Sequence, residues 1–158
     1  VITIHPLDNA LESGILDIQA DQEQIVFSAS PESFLATKEA GILPFAICKD
    51  HQVIGFFKLD TLFGQRNDFC PANSLGLCTL LIDKRLQGKG VGTQSVIKTI
   101  EYAKAHFEQC EYLYLTVNCQ NPAAYHCYLK SGFEDTQTLF LGGPAGPQHI
   151  MRSSINPV

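Results

Sequence analysis

Apolar positions along the chain recur with two periods, and the switches between them lay out the elements. Leu113, Leu115 and Val117 alternate with Tyr112, Tyr114 and Thr116, the period of a half-buried strand. Val96, Ile100, Ala103 and Phe107 recur at steps of four, three and four, so Thr93 to Phe107 reads as a helix with one apolar stripe. Leu77 to Ile82 is an apolar run, read as the buried part of a strand that begins at Leu75. Upstream, Ile2 to Ile4 is a short strand. Leu7, Leu11, Ile15 and Ile18 recur at near-helical steps interrupted by Gly14, and Ser30-Pro31 opens a second helix that ends by Gly41. Leu43 to Lys49 and Val53 to Leu59 are strands joined at Asp50-His51 as a hairpin. Asp60 to Ser74 reads as a long connection. Asn121 is a good N-cap, Pro122 suits the first helical position and Gly132 closes a helix, so Pro122 to Ser131 is helical. Glu134 to Phe140 and His149 to Arg152 are the last strands, connected through the glycine- and proline-rich Gly142 to Pro147. The order βααβββαβαββ is an α+β arrangement, and no linker divides it.

Composition narrows this further. At 158 residues and 17.4 kDa the chain is long enough for one well-buried domain and too short for two ordinary ones, so 1–158 is expected to be a single domain. No apolar run reaches the length of a membrane span, and Val1 to Pro6 lacks the pattern of a signal peptide. Six cysteines contain no C-x-x-C pair, and no His/Cys pair has zinc spacing. Free thiols in a reducing cytoplasm and no metal are expected. A net charge of −5 disfavours a nucleic-acid partner and is compatible with a cationic substrate.

The chemistry sits between the strand at Leu75 to Ile82 and the helix that follows. Gln87-Gly88-Lys89-Gly90-Val91-Gly92 is a glycine-rich turn at a strand-to-helix junction. Backbone N–H groups without helical partners point outward there, beside the positive end of the helix dipole. That is an anion site, suited to a phosphate or pyrophosphate. Glycines let the backbone approach such a ligand with no Cβ in the way. The nucleotide-hydrolase loop needs G-x-x-x-x-G-K-[ST], and no Gly-Lys-Ser/Thr exists here. The dinucleotide fingerprint needs G-x-G-x-x-G after an early strand, whereas this loop is G-x-G-x-G past mid-chain.

The form Q-x-x-G-x-G resembles the acetyl-coenzyme A loop of the GNAT superfamily of N-acetyltransferases. A second segment resembles that family's other cofactor motif, N-x-x-N-x-x-A-x-x-x-Y-x-x-x-G-F, with Asn118, Asn121, Ala124, Tyr128, Gly132 and Phe133 all in place. Weaker likeness upstream, around Gln24-Ile25-Val26-Phe27, points to a bacterial branch that includes polyamine acetyltransferases. The resemblance implies one mixed, splayed sheet flanked by helices. It implies that Gln87, Gly88, Lys89, Gly90, Val91, Gly92 and Thr93 hold the pyrophosphate of acetyl-coenzyme A. It implies that the strand edge at Leu80, Leu81 and Ile82 pairs with the pantetheine arm, and that Asn118, Asn121 and Ala124 lie near that arm. Tyr128 would give its proton to the leaving sulfur: a phenol of pKa about 10 is protonated at neutral pH.

No carboxylate lies on the strand before the loop, and Asp83 falls at its end. Asp21, Glu23 and Asp60 are the candidate bases elsewhere, each read first as a solvated charge. Asp21 and Glu23 are also the expected contacts for the acceptor. The activity implied is transfer of acetyl to a primary amine, a small amine or polyamine. Protein N-termini or lysines, or a binding module without turnover, are the alternatives. Neither a nucleic acid nor a membrane is expected as partner, and a homodimer is left open.

Overall fold

A computed structural model describes residues 1–158. Seven strands form one sheet in the order β1-β2-β3-β4-β5-β7-β6. They are β1 (Ile2–Pro6), β2 (Ile42–Lys49), β3 (Gln52–Asp60), β4 (Leu75–Ile82), β5 (Tyr112–Asn118), β6 (Glu134–Phe140) and β7 (Gln148–Ser154). Every neighbouring pair is antiparallel except β4 and β5. The expected hairpin is β2–β3, turning through Asp50 and His51, both at positive φ.

Helices α1 (Asn9–Leu16), α2 (Gln22–Phe27), α3 (Pro31–Ala36), α4 (Phe63–Arg66), α5 (Val91–His106) and α6 (Pro122–Ser131) complete the chain. Helices α5 and α6 cover one face. Val96, Ile100 and Ala103 of α5 bury against Phe45, Phe57, Leu77, Leu113 and Met151 in the main core. The same helix buries Ser95 and Thr99, whose hydroxyls donate to the carbonyls one turn back at 2.7 and 2.9 Å, so neither is left unpaired. Helices α1 and α3 cover the other face through Ile15 and Phe34, with Ile18 just beyond α1, packed on Ala46, Phe56 and Leu81.

Two short helices depart from the sequence reading. The first expected helix ends at Leu16, and α2 is a separate helix. Asp21 starts it with a capping box: its carboxylate accepts from Gln24 N at 2.9 Å, and Gln24 Oε1 accepts from Asp21 N at 3.0 Å. One further helical turn, α4, lies inside the connection from Asp60 to Ser74.

The parallel pair positions the site. β4 and β5 are paired only at Leu75–Leu113 and Gly76–Tyr114, after which the strands part. A β-bulge turns β4 away: its register against β3 slips by one residue between Phe56–Leu81 and Lys58–Cys78, and Thr79 sits there at φ +59°. From Leu77 onward β4 therefore presents an unpaired edge toward β5.

Candidate active site

The turn from β4 into α5 is an array of unpaired amides. Lys84–Leu86 make one 3-10 turn, and Gly90, at φ +75°, is the N-cap of α5 with no side-chain capping bond. The first helical backbone bond is Gln94 N to Gly90 O, at 3.1 Å. The N–H groups of Gly88, Lys89, Gly90, Val91, Gly92 and Thr93 have no partner within the chain. They stand at the positive end of a 16-residue helix with no acidic residue in its first turn. Gly88, at φ +79°, and Gly90 use a backbone conformation that L side chains rarely adopt, and open space surrounds the position a Cβ would take at each. Gly92 is different: it is helical, and a Cβ there would only touch Cys127 Sγ at 3.6 Å. The Thr93 hydroxyl has only a weak 3.8 Å contact with that thiol, so it is available to a ligand. Lys89 is exposed on the loop. A nest of this kind fits a pyrophosphate.

The open edge of β4 continues from this nest. Asp83 N donates to Ile54 O of β3 at 2.8 Å, so the Ile82 carbonyl, across the same peptide, faces the parted side. Leu80 is half-buried at this edge, and Leu81 packs on the opposite face under α1 and α3. An amide-bearing arm laid between β4 and β5 meets the unpaired groups a further strand would meet.

Tyr128 projects from α6 into this region. Its ring meets Phe133 edge-on, with centroids 5.6 Å apart. Burial raises its pKa above the ordinary phenol value, and the Cys127 and Cys78 thiols nearby push the same way. The phenol thus stays protonated across the physiological range. Tyr125, one turn earlier, is committed: its hydroxyl donates to Asp135 at 2.7 Å and its ring tilts against His149. Tyr128 has no such internal partner. Burial, with the Asp60 carboxylate next, pushes the Cys78 thiol up to about 12, which keeps it from serving as a thiolate nucleophile.

The asparagines are used locally. Asn121 accepts from Ala124 N at 3.4 Å as the N-cap of α6, while Ala124 packs on the main core. Asn118 donates to Ala145 O at 3.0 Å and accepts from Gln120 N at 2.8 Å, pinning the β6–β7 loop to the end of β5.

The acidic residues sort differently from expectation. Asp60 is not a solvated charge: it is 5% exposed, and its carboxylate takes Arg66 at 2.7 Å and Leu62 N at 2.9 Å. Both bonds fall on one carboxylate oxygen, Oδ1, and so held the side chain fixes α4 to β3. Asp83 is also buried, and its bidentate bond with the Arg85 guanidinium, at 2.9 and 2.6 Å, holds it down to about 2. Such a carboxylate is too weak a base for an ammonium proton. Asp21 and Glu23 are exposed, and Asp21 also serves as the α2 cap.

Sequence reasoning missed two partly buried connections. Lys58 on β3 donates to Thr37 O at 2.8 Å and lies 5.1 Å over the Phe34 ring, and burial lowers its pKa. Gln24 Nε2 donates to the Ile82 carbonyl at 2.8 Å. Neither partner is near in sequence, so no local pattern announced them.

A splayed parallel pair, an amide nest at the start of α5 and a tyrosine on α6 are the features by which the two sequence motifs become one cleft. Residues 13–133 match the model of the Acetyltransferase (GNAT) family, and the chain belongs to that family. It is 32% identical over 112 residues to an uncharacterized N-acetyltransferase, YbbJ, of Bacillus subtilis (strain 168), with 68% of each chain covered. It is 26% identical over 144 residues to the spermine/spermidine N(1)-acetyltransferase of the same strain, covering 90% of this chain and 93% of the relative. Among solved structures, an aminoglycoside acetyltransferase in complex with coenzyme A superposes with a TM-score of 0.79 at 17% identity, covering 98% of this chain and 95% of that one. The spermidine N-acetyltransferase from Vibrio cholerae, in complex with coenzyme A and spermine, gives 0.70 at 17% identity, covering 98% and 95%. These structural likenesses concern the fold. The chain is an acetyl-coenzyme A-dependent N-acetyltransferase with the mixed, splayed sheet that its two motifs implied.

Proposed function

We propose that the acceptor is a small primary amine, with polyamines first in order, and that Tyr128 gives the proton to the departing sulfur. The observation that carries this reading is the run of unpaired amides from Gly88 to Thr93, followed by the unpaired edge of β4, with the uncommitted Tyr128 near Cys78 of that strand. Gln87 to Thr93 would hold the pyrophosphate, with Lys89 adding charge. Leu80, Leu81 and Ile82 would align the amide arm. Acetyl-coenzyme A, when bound, supplies the thioester-activated acetyl group.

The remaining work belongs to this chain. The loop and the strand edge fix the arm at two places, which removes rotational freedom before reaction. Tyr128 Oη would give a hydrogen bond, then its proton, to the departing sulfur, and the phenolate would regain a proton from the attacking nitrogen as that nitrogen becomes an amide. Asp83 is held ionised by Arg85 and Asp60 is paired with Arg66, so neither is assigned as the base, and the amine is taken up in its unprotonated form. Cys78 stays a thiol, which favours direct transfer over an acyl-cysteine route.

The polyamine reading is supported by the near full-length similarity to the Bacillus relative, whose name gives spermine and spermidine as its substrates. It is supported also by the exposed carboxylates of Asp21 and Glu23 at the start of α2. A cytoplasmic setting is part of the same reading. The test is coenzyme A thiol release across a panel of monoamines, polyamines, aminoglycosides and N-terminal peptides, with wild type, Asp21→Asn and Glu23→Lys. Asn keeps the N-cap while removing the charge. Spermidine turnover is expected, with KM raised several-fold in both variants and more than for a monoamine, because the extra ammonium groups lose their partners. Acetylation of peptides with no activity on free amines would reject the acceptor.

A further inference from the structure

The segment Asp17 to Gln24, between α1 and α2, is stitched to the strand end that leads into the glycine loop. Lys84 N donates to Gln19 O at 2.8 Å, and Gln19 N donates to Asp83 Oδ2 at 3.2 Å. Arg85, held on Asp83, extends to Asp17 O at 3.4 Å. The last stitch is the Gln24 amide. Its Oε1 accepts from Asp21 N at 3.0 Å, closing the capping box, while its Nε2 donates to the Ile82 carbonyl at 2.8 Å. One side chain thus joins the start of α2 to the open edge of β4.

We propose that Gln24 is a positioning residue that couples occupancy of the coenzyme A channel to the order of α2, the helix carrying the proposed acceptor carboxylate Glu23. This rests on the assignment of the β4 edge to the pantetheine arm. Gln24 Nε2 and the Ile54 carbonyl already hold the two polar groups of the Ile82–Asp83 peptide, so an arm along that edge joins it through the second lone pair of the Ile82 carbonyl, and the peptide loses the freedom left to it. Gln24, bonded to its carbonyl, is held in turn, and the capping box transfers that order to the first turn of α2. An unliganded edge leaves the same carbonyl freer and α2 looser. The coupling is reciprocal: an acceptor that orders α2 tightens the grip on coenzyme A by the same factor.

The capping role and the edge role separate in one substitution. Glu is a natural capping-box residue, so Gln24→Glu keeps the acceptor for Asp21 N. It replaces the Nε2 donor by a carboxylate oxygen facing a carbonyl, which cannot bond. Gln24→Leu removes both contacts. Amide hydrogen exchange with and without coenzyme A reads the coupling without requiring the acceptor to be known. In wild type, coenzyme A should protect the 87–93 loop and also slow exchange in α2 about tenfold, a factor typical of linked sites. In Gln24→Glu the loop should still be protected, while α2 changes less than about twofold and the unfolding temperature stays near wild type. Gln24→Leu should lose the α2 response and also some stability. Equal α2 protection in wild type and Gln24→Glu would show that Gln24 acts only as a cap, and would overturn the inference. Loop protection without any α2 response in wild type would overturn it too, while leaving the cofactor site intact. No protection of the loop at all would overturn the site assignment and the coupling together.

Discussion

Tyr128 shows how a residue's role is narrowed by what its neighbours already do. Two tyrosines lie on α6 one turn apart. Tyr125 gives its hydroxyl to Asp135, whereas the Tyr128 hydroxyl has no internal partner and is kept protonated by burial. Tyr128→Phe keeps the ring against Phe133 and deletes only the acid. Cofactor affinity should change little and single-turnover rates should fall by a factor on the order of 10². An unchanged chemical step would reduce Tyr128 to packing. As a candidate it was legible in sequence because its motif is local, with Asn118, Asn121, Ala124, Tyr128, Gly132 and Phe133 all present. Asp60 was not legible. Its burial depends on α4 bringing Arg66 back onto it, a contact that exists only after the turn folds. Gln24 was invisible for a similar reason: its partner carbonyl is 58 residues away.

At the scale of elements, long periodic segments were legible and short ones were not. Helix α5 and strand β5 follow their apolar periods, and α6 follows its cap signals. Helix α2 has six residues, too few for a period, and is marked only by the D-x-x-Q of its capping box. The bulge at Thr79 left no trace, because threonine is not a residue whose presence signals positive φ. The join of elements at Asp83 carries its own pH dependence. Its folded pKa is about 2, below the unfolded value of about 3.9, so its stabilisation is present above pH 4 and is lost as pH falls toward 2. Asp83→Asn should destabilise at neutral pH by at most about 2 kcal/mol, lessened by the solvent exposure of Arg85. Chemical denaturation at pH 7 and at about pH 3 checks this. The gap between wild type and variant should narrow at the lower pH. A gap that is the same at both would mean that the ion pair does not link folding to protonation.

For the whole molecule, the decisive arrangement is a sheet that parts in its middle. Helices α5 and α6 hold one face and α1 and α3 the other, and β4 and β5 part beyond Gly76 and Tyr114, where β4 runs on toward the amide nest at the start of α5. The family resemblance foretold the parting, but the stitching of the Asp17–Gln24 segment to the end of β4 appears only in three dimensions. The central claim is that the nest from Gly88 to Thr93 binds coenzyme A through its pyrophosphate, and Gly90 is the position that tests it. Open space surrounds the place of a Cβ at Gly90, so an added methyl meets the ligand and not the protein, whereas a methyl at Gly92 would point at Cys127 Sγ. Gly90 is at φ +75°, so alanine there should cost the fold about 1–2 kcal/mol. Calorimetric titration of coenzyme A into wild type and Gly90→Ala, beside their unfolding temperatures, is the most direct test. The account predicts one site in wild type, affinity at least about tenfold weaker in the variant, and an unfolding temperature lowered by only a few degrees, the tenfold loss corresponding to about 1.4 kcal/mol. Equal affinity in the two proteins, or no binding to wild type, would contradict it.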